Sequence, residues 1–166
     1  FLEMMAGEEV EVHGIISEAG EKVLKLEQDC SSHSLPGVSQ WFDCRDFTAP
    51  PASGSADYEA MVVIPCSMGS LAAIASGISS NLIHRAADVI LKEKKKLILV
   101  TRETPLNRTH LQNMLSAHDA GAVICPPHPG FYLKPKDLKD AAMTFSWRLG
   151  DQLGLVMEGR KRWGAE

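Results

Sequence analysis

Some segments of the chain have the hydrophobic pattern of strands and others that of helices. In chain order, these segments predict strands and helices in alternation. Residues 10–16 predict a short strand that Ser17 closes, and residues 18–27 predict a short helix. Residues 60–64 form a continuous apolar run, which is typical of a parallel strand buried on both faces. Residues 97–102 predict another strand, which ends at Arg102.

The rest of the chain extends this alternation. Helices are predicted at 71–76, 81–93, 109–120 and 137–153, and one more strand at 122–125. Residues 1–5 look like the last turns of a helix, whereas residues 28–58 are rich in Ser, Pro, Gly and Asp and predict a long loop. Alternating strands and helices indicate a three-layer α/β/α fold with a mainly parallel sheet.

Composition narrows the class of protein. The 166 residues, 45% hydrophobic and 23% charged, suit one domain with its own core. A formal net charge of −4 argues against nucleic-acid binding, and no apolar run approaches the roughly 20 residues that cross a membrane. We therefore expect a soluble protein without nucleic-acid or membrane partners.

The cysteines and histidines carry no recognisable site. The four cysteines lack C-x-x-C spacing, which favours reduced thiols and a cytoplasmic location: Cys30, Cys44, Cys66 and Cys125. The six histidines lack metal-ligand spacing, so we expect no metal. The segment 65–69, Pro-Cys-Ser-Met-Gly, differs from the G-x-S-x-G elbow of hydrolases.

Two strand ends carry candidate chemistry. Arg102 and Glu103 follow an apolar strand, and ligands of parallel sheets bind beyond the carboxyl ends of strands. The alternative is a solvated turn with a surface ion pair. The turn 66–70 places serines before a helix, where backbone N–H groups favour an anion; the alternative is that Ser67 or Ser70 caps the helix.

Three further features allow two interpretations each. Arg85 and Lys92 share one helix face with Asp88, which is either solvated or part of a site. Tyr132 follows the rigid segment 126–130 and either closes a pocket or packs. Arg148 lies at the edge of an apolar helix face, where a snorkelling side chain is the alternative to ligand binding.

Six sequence blocks, in order and with similar spacing, strongly resemble the flavin prenyltransferase family, long described as aromatic-acid decarboxylases. The blocks cover nearly the whole chain: 50–55 (Pro-Pro-Ala-Ser-Gly-Ser), 65–70 (Pro-Cys-Ser-Met-Gly-Ser), 81–89 (Asn-Leu-Ile-His-Arg-Ala-Ala-Asp-Val), 91–93 (Leu-Lys-Glu), 102–105 (Arg-Glu-Thr-Pro) and 130–132 (Gly-Phe-Tyr).

The resemblance implies a Rossmann-like, flavodoxin-like domain that binds reduced FMN. It implies transfer of a dimethylallyl group from dimethylallyl phosphate to flavin N5, followed by ring closure at C6, without a metal. The prenylated FMN would serve a separate decarboxylase. The resemblance also implies a homo-oligomer, typically a dodecamer, with sites at subunit interfaces.

The resemblance also assigns residues. Flavin contacts fall on Ser17, Cys66, Ser67, Met68, Gly69, Ser70 and Arg85, with Ser53 and Gly54 close by. Prenyl-phosphate contacts fall on Lys92, Tyr132 and Arg148, and Trp163 matches a tail aromatic that shields a prenyl cation. Glu103 is implied to handle a proton, while Arg102 holds charge nearby. Fixed cations suit a leaving phosphate, and π-faces suit an allylic cation.

One departure leaves alternatives open. The family's first strand and its Gly-Ala-Ser-Gly flavin loop have no counterpart in residues 1–166, so we expect either a fragment or weak flavin binding. A non-catalytic FMN carrier is the second hypothesis. A flavin-dependent cysteine decarboxylase ranks lower, because the Pro-x-Met-Asn-x-x-Met-Trp signature of those enzymes is missing.

Overall fold

The computed structural model describes residues 1–157 and 159–160 and has strands and helices in alternation. The strands are β1 (His13–Ile16), β2 (Gln40–Asp43), β3 (Ala60–Cys66), β4 (Lys96–Thr101) and β5 (Val123–Ile124). The helices are α1 (Leu2–Met5), α2 (Glu18–Gln28), α3 (Met68–Ala75), α4 (Leu82–Lys92), α5 (Arg108–Asp119) and α6 (Leu138–Leu153). Short 3₁₀ turns lie at Ser32–Ser34, Pro50–Ala52, Gly54–Ala56 and Phe131–Leu133.

All strand pairs are parallel, and they form two sheets. One sheet pairs β1 with β2, and the other has the order β3-β4-β5. In the larger sheet Ala60 lies opposite Lys96 at the amino ends, and Cys66 lies opposite Thr101 at the carboxyl ends. The carboxyl ends of β3 and β4 therefore form one common edge.

Helices cover both faces of the larger sheet. Leu97 and Leu99 of β4 pack in one cluster with residues of α3, α4 and α5. Ile98 and Val100 point to the opposite face, where they pack with Phe145 and Leu149 of α6. This alternation of side chains confirms the predicted three-layer α/β/α architecture, because β4 is buried on both faces.

Polar caps fix the starts of the helices. Ser17 Oγ accepts the Gly20 N–H at 3.0 Å at the start of α2, and Asn81 Oδ1 accepts the His84 N–H at 2.9 Å at the start of α4. Asp137 caps α6 in the same way. Ser67 caps α3, so this helix begins at Met68 and not at residue 71 as predicted.

Several predicted bounds are wrong for a common reason, since neighbouring strands decide how far a strand extends. The strand predicted at 10–16 begins only at His13, where β2 pairs with it. That partner lies inside the predicted loop 28–58. Ile64 of β3 is 44% exposed, so the prediction of two buried faces fails there. The strands predicted at 97–102 and 122–125 end earlier, at Thr101 and Ile124.

No helix among residues 1–157 and 159–160 combines the length and apolar character needed to cross a membrane.

Gly14 of β1 allows the close approach of an indole ring. A Cβ at this position would lie 2.5 Å from Trp41 Cε3. We expect Gly14→Ala to lower the free energy of unfolding by about 1–3 kcal/mol, because the rigid ring has to move. Urea denaturation measures this change. Gly7→Ala is the control, since its nearest contact would be 3.7 Å away, and an equal loss in both variants would contradict the packing argument.

Candidate active site

The carboxyl edge of β3 and β4 brings two predicted segments together. The Arg102 N–H donates to the Cys66 carbonyl at 3.4 Å, which holds the end of β4 beside the start of α3. Ser67 Oγ accepts the Ser70 N–H at 3.2 Å, so Ser67 does act as a helix cap. The first N–H groups of α3, among them those of Met68 and Gly69, remain available to an anion at this edge.

Cys66 belongs to the core rather than to a cavity wall. Its side chain is fully buried with Leu71, Leu97 and Leu99. Burial raises the pKa of the Cys66 thiol from 9.0 to about 12. Any flavin contact at this position therefore uses the backbone, and the thiol is not a nucleophile near neutral pH.

The buried Cys66 thiol should resist alkylation. We expect iodoacetamide at pH 8 to label Cys30 faster than Cys66 by at least about tenfold in the native protein, because only the accessible thiolate reacts. Peptide mass spectrometry after a timed quench measures both rates. Labelling in urea is the control, and equal native rates would contradict the burial of Cys66.

Arg102 and Glu103 lie on the wall of a cavity of about 470 Å³. Both are exposed, and neither forms a salt bridge in the described part of the chain, so the ion-pair alternative does not apply. Glu103 Oε1 accepts the Thr104 N–H at 3.0 Å. The remaining lining residues are Thr101, Thr104, Leu106, Met114, Pro126, Pro127 and His128.

Thr101 has a buried hydroxyl without a partner. Its residue is 3% exposed, and Oγ1 has no hydrogen-bond partner within the described residues. Such groups are rare in folded proteins. We expect Thr101→Val to keep or raise the free energy of unfolding, by up to about 1 kcal/mol, because no hydrogen bond is lost. Urea denaturation tests this, and a loss above 1 kcal/mol would indicate a bonded hydroxyl.

Tyr132 and Arg148 lie on the α6 side of the same edge. The Gly130 N–H donates to Thr144 Oγ1 at 2.8 Å, which anchors the loop of Tyr132 to α6. Arg148 is four residues after Thr144 and so shares its helix face. The Arg148 charge also acts on Cys125, where burial raises the pKa and the arginine lowers it. Arg148 is exposed and therefore available to an anion.

A second cavity, of about 450 Å³, lies at the start of α2. Its wall consists of Ser17, Glu18, Ala19, Lys22, Cys44, Arg45, Ser80 and Asn81. The hydroxyl of Ser17, two cations and a helix N-terminus are the groups that bind phosphate esters, and the volume is within the range of small-molecule sites. Arg45 also forms an ion pair with Glu18.

A separate group of predicted residues lies along α4. Arg85 Nε donates to the Ala52 carbonyl at 3.1 Å, and Arg85 Nη1 pairs with Asp88 at 2.9 Å. A Cβ on Gly54 would lie 2.8 Å from Lys92 Nζ, so the turn that follows Ser53 touches the last turn of α4. Lys92 also pairs with Glu93.

Lys92 and the turn at Gly54 lie at the opposite edge of the sheet from Glu103. Lys92 ends α4 just before β4 begins at Lys96, and Lys95 pairs with Asp57 at 2.6 Å at the same amino edge. The six residues of β4 separate the two edges by roughly 17–20 Å. One chain therefore does not bring Lys92 to Glu103. Trp163 lies outside the described residues.

Most of the residues on the cavity walls were missed by the sequence analysis, among them Lys22 and Arg45 in one cavity and Thr101 and His128 in the other. Arg45 follows β2, and this strand was hidden because only Trp41 and Phe42 among its four residues are apolar. His128 directly follows two prolines after a strand, which was the available signal. Within the described residues, no cluster of His, Cys, Asp or Glu could hold a metal ion.

Known proteins share this fold. A flavoprotein family model matches residues 2–147. The flavin prenyltransferase UbiX of Methanocaldococcus jannaschii is 44% identical over 155 residues, which cover 93% of this chain and 84% of that protein.

Two solved structures are similar as well. The crystal structure of AnUbiX (PadA1), in complex with FMN and dimethylallyl pyrophosphate, is 41% identical with a TM-score of 0.91, and the match covers 95% of this chain and 84% of that one. A dodecameric FMN-dependent UbiX-like decarboxylase from Escherichia coli O157:H7 is 36% identical with a TM-score of 0.93, and that match covers 99% and 89%. The chain thus belongs to the flavoprotein family and, within it, to the flavin prenyltransferases.

Proposed function

We propose that this protein transfers the dimethylallyl group of dimethylallyl phosphate to reduced FMN, forming bonds at N5 and then at C6. The observation that carries the proposal is the cavity at the carboxyl edge of β4, lined by Arg102 and Glu103, in a chain 44% identical to a flavin prenyltransferase. The solved relative that holds FMN with dimethylallyl pyrophosphate supports FMN and a phosphorylated dimethylallyl donor as the ligands.

The residues at this edge suit the chemistry. Bound FMN supplies the nucleophilic N5 and C6 atoms. Arg102 and Arg148 are exposed cations that stabilise the negative charge of a departing phosphate. Glu103 is a carboxylate on a cavity wall, and we propose that it accepts the proton released at flavin N5. In the proposal Tyr132 contributes a hydroxyl, and Trp163 an aromatic face for the prenyl group.

The cavity at Ser17 suits the phosphate end of FMN. Ser17, Lys22 and Arg45 surround the N-terminus of α2, and Ser67 to Ser70 begin α3 at the edge of the neighbouring sheet. These residues hold and orient the flavin in the proposal. Arg85 of α4 also helps to hold the flavin in the proposal. Its contact with the segment before Ser53 and Gly54 fixes the position of its side chain.

We propose that the active site is shared between copies of the chain. Lys92, with Ser53 and Gly54, lies at the amino edge of the sheet, and Glu103 lies at the carboxyl edge. A second copy can supply Lys92 to the phosphate that Arg148 binds. The similar E. coli protein is dodecameric, which supports a homo-oligomer and, more specifically, a dodecamer.

We also propose a further parallel strand between β1 and β3 that unites the chain into a single flavoprotein domain. Each of these strands has one edge without a partner strand among the described residues. His13 Nδ1 lies 2.6 Å from the Tyr58 hydroxyl, so the amino ends of the two strands are neighbours. The family's first strand and Gly-rich flavin loop fit this gap. Adding that segment from a relative should tighten FMN binding, measured by flavin fluorescence.

The product, prenylated FMN, would pass to a separate decarboxylase that needs it as a cofactor. We further propose a cytoplasmic location, which the four unpaired cysteines support. Cell fractionation with an antibody tests the location.

One assay tests the transfer. Full-length protein is mixed anaerobically with reduced FMN and dimethylallyl phosphate or diphosphate, and the flavin is analysed by mass spectrometry. We expect a mass increase of one prenyl unit. If the protein binds FMN but leaves both donors intact, the carrier hypothesis replaces the transferase.

A further inference from the structure

His128 lines the same cavity as Glu103 and lies in a restricted segment of the backbone. It lies in the segment Pro126-Pro127-His128-Pro129, where three prolines restrict the backbone. The His128 N–H donates to the Pro126 carbonyl at 2.8 Å, which tightens the turn further. Its imidazole lines the same cavity of about 470 Å³ as Arg102 and Glu103. The site therefore contains an imidazole that the assignments above leave unused.

One residue on the wall of this cavity has a polar atom without a hydrogen-bond partner. Thr101 lines the cavity, is 3% exposed, and has no hydrogen-bond partner for Oγ1 within the described residues. A buried hydroxyl is normally paired, so Thr101 is an unusual residue on this wall. The rest of the wall combines Thr104 with the apolar Leu106, Met114 and the prolines.

We propose that His128 is a further catalytic residue, a general acid that protonates the phosphate leaving the prenyl donor. The proposal rests on the proposed function. In this step the C1–O bond of the donor breaks and its electron pair stays on the phosphate oxygen. That oxygen takes a proton from the imidazolium of His128. The new bond joins C1 to flavin N5, and the N5 proton goes to Glu103.

Two titratable groups thus act at one cavity with opposite tasks. Glu103 accepts a proton and His128 supplies one, which is a common division of labour between an acid and a base. Arg102 is the third charged group on the wall. The helix α5 contributes only the uncharged Met114 to it. A general acid has to be protonated to act, so activity should fall as the pH rises.

The test compares His128→Gln with His118→Gln in full-length protein. His118 is exposed in the last turn of α5 and does not line the cavity. We expect His128→Gln to lower kcat about 100-fold with unchanged FMN affinity, and to remove the fall in activity at rising pH. His118→Gln should match the wild type in all three measurements.

The outcomes separate this role from the function itself. If wild type makes no prenylated flavin, the proposed function fails and the role of His128 fails with it. If wild type is active and His128→Gln keeps the kcat and the pH profile, only the role of His128 is overturned. A lower kcat with an unchanged pH profile indicates a structural effect and also overturns it.

Discussion

Glu103→Gln should lower kcat for flavin prenylation by about 100-fold or more while FMN still binds with its original affinity. The amide keeps the size of the side chain and can still accept the Thr104 N–H, but it cannot take up a proton. Glu103 is exposed at the end of β4, so the substitution should change the free energy of unfolding by less than about 0.5 kcal/mol. Single-turnover assays with reduced FMN measure the rate.

Glu27→Gln is the matched control for this experiment. Glu27 is an exposed carboxylate in α2 that lines neither of the two cavities described above. It should leave kcat, FMN affinity and stability unchanged. A Glu103→Gln protein that turns over at the wild-type rate would remove Glu103 from proton transfer.

Two inactive variants should restore activity when they assemble together. Lys92→Ala and Glu103→Gln remove groups at opposite edges of the sheet, and each alone should lose about 100-fold or more. If a site takes Lys92 from one subunit and Glu103 from another, random mixing gives about a quarter of the sites both side chains. Co-expressed, differently tagged chains, purified through both tags, should therefore recover about a quarter of the wild-type activity.

The control for this mixing pairs Lys92→Ala with a chain that carries both substitutions. None of its sites has a lysine at position 92, so activity should stay at the level of Lys92→Ala alone. If the mixture of the two single variants also stays inactive although it forms mixed oligomers, each site takes both residues from one chain, and the shared site is wrong.

Local patterns were sufficient for most helices and for the central strand. The helices α4, α5 and α6 begin and end within a few residues of their predicted bounds, because polar caps and an apolar face are encoded side by side in the sequence. β4 was equally clear, since a strand buried on both faces is apolar at every position. Its neighbours were less clear. β2 was missed because two of its four residues are polar, and β3 has an exposed Ile64 inside its apolar run.

The candidate site, like the fold, was predicted from the sequence only in part. The sequence identified Arg102 and Glu103 from their place after a strand, and Tyr132 and Arg148 from the family resemblance. It missed Thr101, whose unpartnered hydroxyl is visible only once the strand is packed. It also missed the task of His128, because a lone histidine in a loop has no spacing signal.

By itself the sequence determined the alternation of strands and helices, the three-layer fold and the family, because apolar periodicity, caps and short motifs are local properties of a chain. Only the tertiary structure decided which side chains meet. It separated Lys92 from Glu103 by the length of β4, moved the Cys66 thiol into the core, and brought His128 to the cavity that Glu103 lines. The physical reason is that packing joins residues far apart in the chain, and their distances follow from strand register and helix direction.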